Sequence, residues 1–172
     1  MSLWFRLSSL LRWKTIAMDH DRHALGLGQI LGNFHALEFS LRVFLCEANG
    51  EQFNFPTIQV SRLPKTHLTN YDSLGKLIDA YNGLLTPRES AYATDPAIVK
   101  IRDAIAHGRL MSTSMTFPVT LYKFGKEQAG EVPLEFAEVL SETWFENNRR
   151  FIFAQISRVL ECAKGRGYRS FG

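Results

Sequence analysis

The chain has two cysteines, and neither stands at a spacing that a metal or dithiol motif requires. Cys46 and Cys162 each fall in a helical pattern, so both are expected as buried thiols of a reducing compartment. No apolar run reaches the roughly 18 residues that a membrane-crossing helix needs, which argues against a span. The N-terminus carries basic residues but no uninterrupted hydrophobic region and no small-residue cleavage site, so it does not read as a signal peptide. A cytoplasmic location is expected. Also missing are G-x-x-x-x-G-K, H-E-x-x-H, G-x-S-x-G and paired C-x-x-C, which disfavours P-loop, zincin, hydrolase and zinc-ribbon chemistry. Gly26-Leu-Gly28 lies in a helical pattern and is not a phosphate loop. No cofactor and no metal site is expected. Internal repeats and low-complexity segments are absent as well.

What is present suits one domain. The 172 residues are 45% hydrophobic with 13 Phe, enough for a sizeable core and too apolar for disorder. The net charge of +3 is unevenly spread: both ends are basic and the body between them is acidic. Residues 164–172, with Lys164, Arg166, Arg169 and the aromatic Tyr168 and Phe171, read as a basic flexible tail. Such a tail is most often simply solvated, and it could also contact phosphates without sequence preference.

Along the chain, residues 2–17 place Trp4, Leu7 and Leu11 on one side of a short helix beside Arg6, Arg12 and Lys14. This segment is expected to dock on the bundle or on a second subunit, with a membrane surface as the alternative. Asp19 or Asp21 can cap the next helix, which continues to about Ala48. Leu27, Ile30, Leu31, Phe34, Leu37, Leu41, Phe44, Leu45 and Ala48 recur there with the 3.6 period. Glu38 lies on or beside that face and needs a cation. Arg42, one turn later, is the ordinary partner and Arg102 the sharper alternative. His35 is off the stripe and expected to be exposed. Residues 51–70 lose the period and contain Pro56 and Pro64, hence a loop. Asp72 or Ser73 caps a shorter helix to about Tyr81, and a short turn is expected after Pro87. Residues 116–124 alternate as a strand and 125–130 as a turn, giving a small β-hairpin, with Pro118 confined to an edge or to the strand's first residues. A last helix is expected from Pro133 to about Ala163, apolar over more than one stripe.

The chain is organised around Asp95-Pro-Ala-Ile-Val-Lys-Ile-Arg-Asp-Ala-Ile-Ala-His-Gly108. Asp95 is a good N-cap, Pro96 suits the first helical position and Gly108 the position just past the end, so a helix is expected over 96–107. Ile98, Ile101 and Ile105 give it a buried stripe. Arg102 and His107, five positions apart, point about 140° from one another around the helix and so flank a groove. His107 lies where the helix dipole favours an imidazolium.

Arg102-Asp-Ala-Ile-Ala-His107-Gly108 resembles the R-x4-6-H motif of HEPN domains, in which a polar residue commonly follows the arginine and a glycine often follows the histidine. Together with the long helices before and after it, the resemblance covers roughly residues 20–163. It implies a mostly all-α, HEPN-like up-down bundle with long first and last helices and a small β-hairpin inserted between the motif helix and the last one. It further implies a metal-independent endoribonuclease with a toxin, defence or RNA-processing role, working as a homodimer on RNA, with an antitoxin protein as a possible cognate partner. Arg102 would hold the phosphate and His107 act in proton transfer, with Asp103 orienting either of them. Glu38 and Arg109 are candidates for supporting roles. The alternative is a non-catalytic HEPN-like module binding a nucleotide or a protein, or a structural dimer.

Overall fold

A computed structural model describes residues 3–51, 62–112 and 117–171, with side chains from residue 20 onward. The fold is mostly helical. Among the described residues four α-helices, α1 (Leu3–Ala48), α2 (Leu74–Gly83), α3 (Ile98–His107) and α4 (Glu142–Gly165), accompany a small sheet of β1 (Arg109–Met111), β2 (Thr120–Phe124) and β3 (Leu134–Val139). Short 3-10 turns follow Thr86 and close the chain at Arg169–Phe171. The chain divides into two compact units, one of Met1–Leu31 with Lys100–Arg149, the other of Gly32–Val99 with Arg150–Gly172. Among the described residues no helix is long and apolar enough to cross a membrane.

Helix α1 is continuous where two segments, 2–17 and a second beginning at Asp19 or Asp21, were expected. No proline or glycine interrupts it before Gly26, and an aspartate within a helix costs no more than about 0.7 kcal/mol relative to alanine, too little to end one. The side chains of Trp4, Leu7 and Leu11 lie outside the described residues, as do residues 52–61 of the expected loop.

In the unit of residues 32–99 and 150–172, Phe34, Leu37, Leu41, Phe44 and Leu45 are buried as the 3.6 period required. Leu31, expected on that stripe, is exposed. Residues 40–46 are buried on every side: Phe44 meets Tyr81 and Tyr168 edge-on, and Arg42 binds the 62–72 segment. That guanidinium donates to Glu38 Oε1 at 2.9 and 3.1 Å, to the carbonyls of His67 (2.8 Å), Asn70 (3.2 Å) and Asp72 (2.9 Å), and to Asn70 Oδ1 (2.7 Å). Glu51 adds a second clasp by accepting from the His67 backbone N–H at 2.8 Å and contacting its Nδ1 at 2.7 Å. Ser73 caps α2, whose Leu74, Leu77, Ile78 and Tyr81 are buried, and the turn after Pro87 forms as expected. Cys46 and Cys162 are buried, and burial pushes the Cys46 thiol up to about 11.

The supposed tail is tied down in the same unit. Arg166 grips Glu89 through Nε (2.8 Å) and a terminal nitrogen (2.7 Å), donates to the Leu84 carbonyl at 2.8 Å and lies 5.1 Å above the Phe44 ring. Tyr168 meets Phe44 edge-on, and the Ser170 N–H donates to Glu47 at 3.0 Å. Arg166 and Tyr168 are thereby committed to the fold instead of being offered to phosphates.

The sheet corrects a further expectation. Residues 134–139 form β3, antiparallel to β2, and α4 begins only at Glu142. Ser141 supplies the helix start: its hydroxyl accepts from the Trp144 N–H at 3.1 Å. The expected hairpin is thus β2–β3, and β1 joins it to give the order β1-β2-β3. Pro118 sits just ahead of β2, where its missing N–H costs no ladder bond. Helix α4 buries a single stripe, Ile152, Ile156, Val159 and Ala163, and leaves Phe153 and Leu160 exposed, so the second apolar stripe is solvent-facing.

Candidate functional site

The lead-in to α3 is fixed by side chains that replace missing backbone partners. Asn82 brackets Thr94, donating to its carbonyl at 2.8 Å and accepting from its N–H at 2.9 Å, and the Tyr81 hydroxyl donates to the Tyr92 carbonyl at 3.1 Å. Asp95 then accepts from the Ala97 N–H at 2.8 Å, the capping contact its position called for, while its own N–H donates to buried Gln155 at 2.9 Å. Ile98 is fully buried, Ile101 and Ile105 half-buried. Residues 96–97 form a turn, so regular helix begins two residues later than the cap alone suggested.

The far end of α3 lies in the unit of residues 1–31 and 100–149. Gly108 is the residue that lets the helix end meet the sheet. Its N–H donates to the Ala104 carbonyl at 2.7 Å. A Cβ there would fall 2.3 Å from that carbonyl oxygen, 2.6 Å from Leu121 Cδ1 and 2.8 Å from the Tyr122 carbonyl oxygen. The glycine is therefore required by close approach to β2. The chain continues directly into β1, whose Arg109 pairs in register with Tyr122.

On this frame His107 occupies the last turn of α3, exposed and without a hydrogen-bond partner among the described residues. Arg102 is half-buried and bonded to its neighbour Asp103, Nη1 to Oδ1 at 3.0 Å, each side chain about a third exposed at 35% and 34%. Ion pairs this accessible contribute only about 0.2–1 kcal/mol, so a phosphate can compete for the guanidinium at small cost. Lys123 on β2 is linked to Glu135 at 2.9 Å, and its ammonium pKa is raised by that bond and more weakly by the charge of Asp103. Arg109 is exposed, with its guanidinium carbon 5.6 Å from the centre of the Phe124 ring.

The structure thus brings Arg102 and Asp103 into contact and places His107 and Arg109 beyond them on the same continuous stretch. Glu38 belongs to the other unit, where Arg42 answers its charge, the ordinary partner and not Arg102. His35 is exposed, as its place off the stripe required.

One feature escaped sequence reasoning. A cavity of about 410 Å³ is lined by Arg22, His23, Phe117, Leu140, Glu142 and Phe145 among others. His23 packs on Phe117 and Phe145 at ring-centre distances of 5.0 and 5.4 Å. Its Nε2 is buried without a partner among the described residues, and burial lowers its pKa. In the sequence His23 only follows a polar run, Asp19-His-Asp-Arg22, and its neighbour Phe117 is remote in the chain.

Compared with known proteins, the chain matches no family model, no curated protein and no solved structure.

Proposed function

We propose that this protein is a metal-independent endoribonuclease of HEPN type, built as an up-down helical bundle and acting as a homodimer. The observation that carries the reading is the end of α3: an exposed, unengaged imidazole at His107 and, five residues earlier, a guanidinium held only by a weak neighbouring pair. Cleavage requires a base to take the ribose 2′-hydroxyl proton as the 2′-oxygen attacks phosphorus. It also requires an acid to protonate the departing 5′-oxygen, and positive charge on the phosphoryl oxygens. Each chain contributes one His107, so the base and the acid come from two chains whose α3 ends meet at a two-fold axis. Arg102 steadies the phosphate with its planar fork, and Asp103 sets the guanidinium's direction until substrate arrives. The product ends are a 2′,3′-cyclic phosphate and a 5′-hydroxyl. Such an enzyme would act on cytoplasmic RNA in a toxin, defence or processing role, under an antitoxin where one is encoded.

A second reading is favoured by the Arg102–Asp103 contact, which lowers the charge available to a phosphate: a non-catalytic module binding a nucleotide or a protein. Mixing His107→Ala chains with parent chains distinguishes the two. Mixed dimers of a composite site carry one imidazole, so activity falls below simple dilution. Strict proportionality to the parent fraction, or a monomer in light scattering at micromolar concentration, defeats the composite site.

A further inference from the structure

The strand pairing sorts the sheet into two unlike faces. Leu121 is buried and Lys123 is paired with Glu135, while Tyr122 and Phe124, alternating with them, point the other way. Register brings Arg109 beside Tyr122, and Val139 and Ala137 opposite Thr120 and Tyr122. The Tyr122 and Phe124 rings lie nearly parallel, 15° apart with centres at 6.2 Å, and Arg109 reaches over Phe124. Phe124 is 38%, Met111 43% and Val139 50% exposed on this face, and Tyr122 is half-buried. Its single charge among the described residues is Arg109. The alternation that turns Tyr122 outward turns Glu138, the partner of Leu121, to the opposite side.

We infer that this face is a stacking platform for single-stranded RNA, the substrate-binding part of the ribonuclease site proposed above and dependent on that reading for its role in catalysis. Adjacent parallel rings accept successive bases without regard to sequence, because every base presents a π face. Arg109 supplies the cation a phosphate backbone needs, and among the described strand residues no carboxylate shares its face by register. A second copy of this chain could use the apolar residues equally well, and the assay below separates that outcome from RNA. The connection to chemistry is covalent: Arg109 follows His107 by two residues, with Gly108 holding the helix end against β2. The platform therefore begins two residues after the motif histidine in the chain.

The test is binding of a fluorescent, fully 2′-O-methylated single-stranded RNA, which cannot be cleaved, to the full chain, alongside cleavage of the unmodified strand. Tyr122→Ala and Phe124→Ala are each expected to weaken binding about 5- to 100-fold. Tyr122→Phe and Phe124→Trp should stay near parent, which separates stacking from folding. Arg109→Ala should reduce the salt dependence by about one phosphate contact. For cleavage, loss of a ring should raise KM with kcat largely kept. Unchanged binding by both alanine variants, or no binding of the methylated strand by the parent, overturns the platform, whatever the cleavage result. A shift of the alanine variants from dimer to monomer with unchanged RNA binding also overturns it, and assigns the face to a second copy. Ring-dependent binding by a parent chain that cleaves nothing upholds the platform and rejects the ribonuclease reading.

Discussion

Replacing Gly108 by alanine adds one methyl group at the point where α3 hands over to the sheet. Ordinary contact requires about 3.4 Å or more, whereas that carbon would sit 2.3 Å from the Ala104 carbonyl oxygen and 2.8 Å from that of Tyr122. Leu121 Cδ1, at 2.6 Å, can rotate aside, but Leu121 is itself buried at 2% exposure and has little room. The two oxygens are backbone atoms and move only if the helix end or β2 moves. Overpacking of this kind costs about 1–3 kcal/mol, and two immovable contacts place Gly108→Ala in the upper half of that range, about 2–3 kcal/mol. For a chain of this size that lowers the melting temperature by roughly 4–12 °C. Thermal unfolding by circular dichroism measures it, with Gly28→Ala as control, since a Cβ there meets nothing within 4 Å. Because the shift displaces His107, RNA cleavage should fall with the fold still intact at 20 °C. A Gly108→Ala protein that melts with the parent refutes the close-approach reasoning and returns Gly108 to the role of a simple helix stop.

Two further outcomes concern the other unit. Arg42→Ala leaves Glu38 and three backbone carbonyls without their donor and is expected to cost about 3–5 kcal/mol in urea unfolding, while a loss under 1 kcal/mol means the 62–72 segment is held by something else. Glu89 is held well below the usual carboxylate range by the two-pronged bond from Arg166, reinforced by the Thr86 N–H and hydroxyl. Its contribution is therefore complete above the unfolded carboxylate value of about 4.3 and disappears as pH falls through the lower folded value. Glu89→Gln should flatten the acid side of the stability profile below about pH 5, and a profile parallel to the parent's would show that Arg166 does not depend on that charge.

The parts of the fold visible in the sequence are those whose cause is local. Ser73, Pro87 and Asp95 each begin an element by satisfying or pre-forming backbone within three residues, and each does so here. Ile30, Phe34, Leu37, Leu41, Phe44 and Leu45 were legible from the helical period, whereas the exposure of Leu31 and the burial of residues 40–46 on every side were not. What was hidden depends on partners far along the chain. Leu134–Val139 contains good helix formers and becomes a strand only because β2 offers it a ladder. Arg166 looked like tail chemistry because Glu89, its partner, is 77 residues away. For the candidate site, Arg102, Asp103 and His107 were legible as a spaced motif. The outward face of Tyr122 and Phe124 was not, since it is set by the register of β1 on β2.

The most direct measurement is cleavage of a defined single-stranded RNA by purified protein in excess chelator, with the product ends identified, for the parent and for His107→Ala. Metal-independent transfer predicts 2′,3′-cyclic phosphate ends from the parent and a loss of about two to four powers of ten in rate for His107→Ala, its circular dichroism unchanged. Full activity in His107→Ala, or no cleavage by the parent at any protein concentration that supports dimers, contradicts the proposed chemistry.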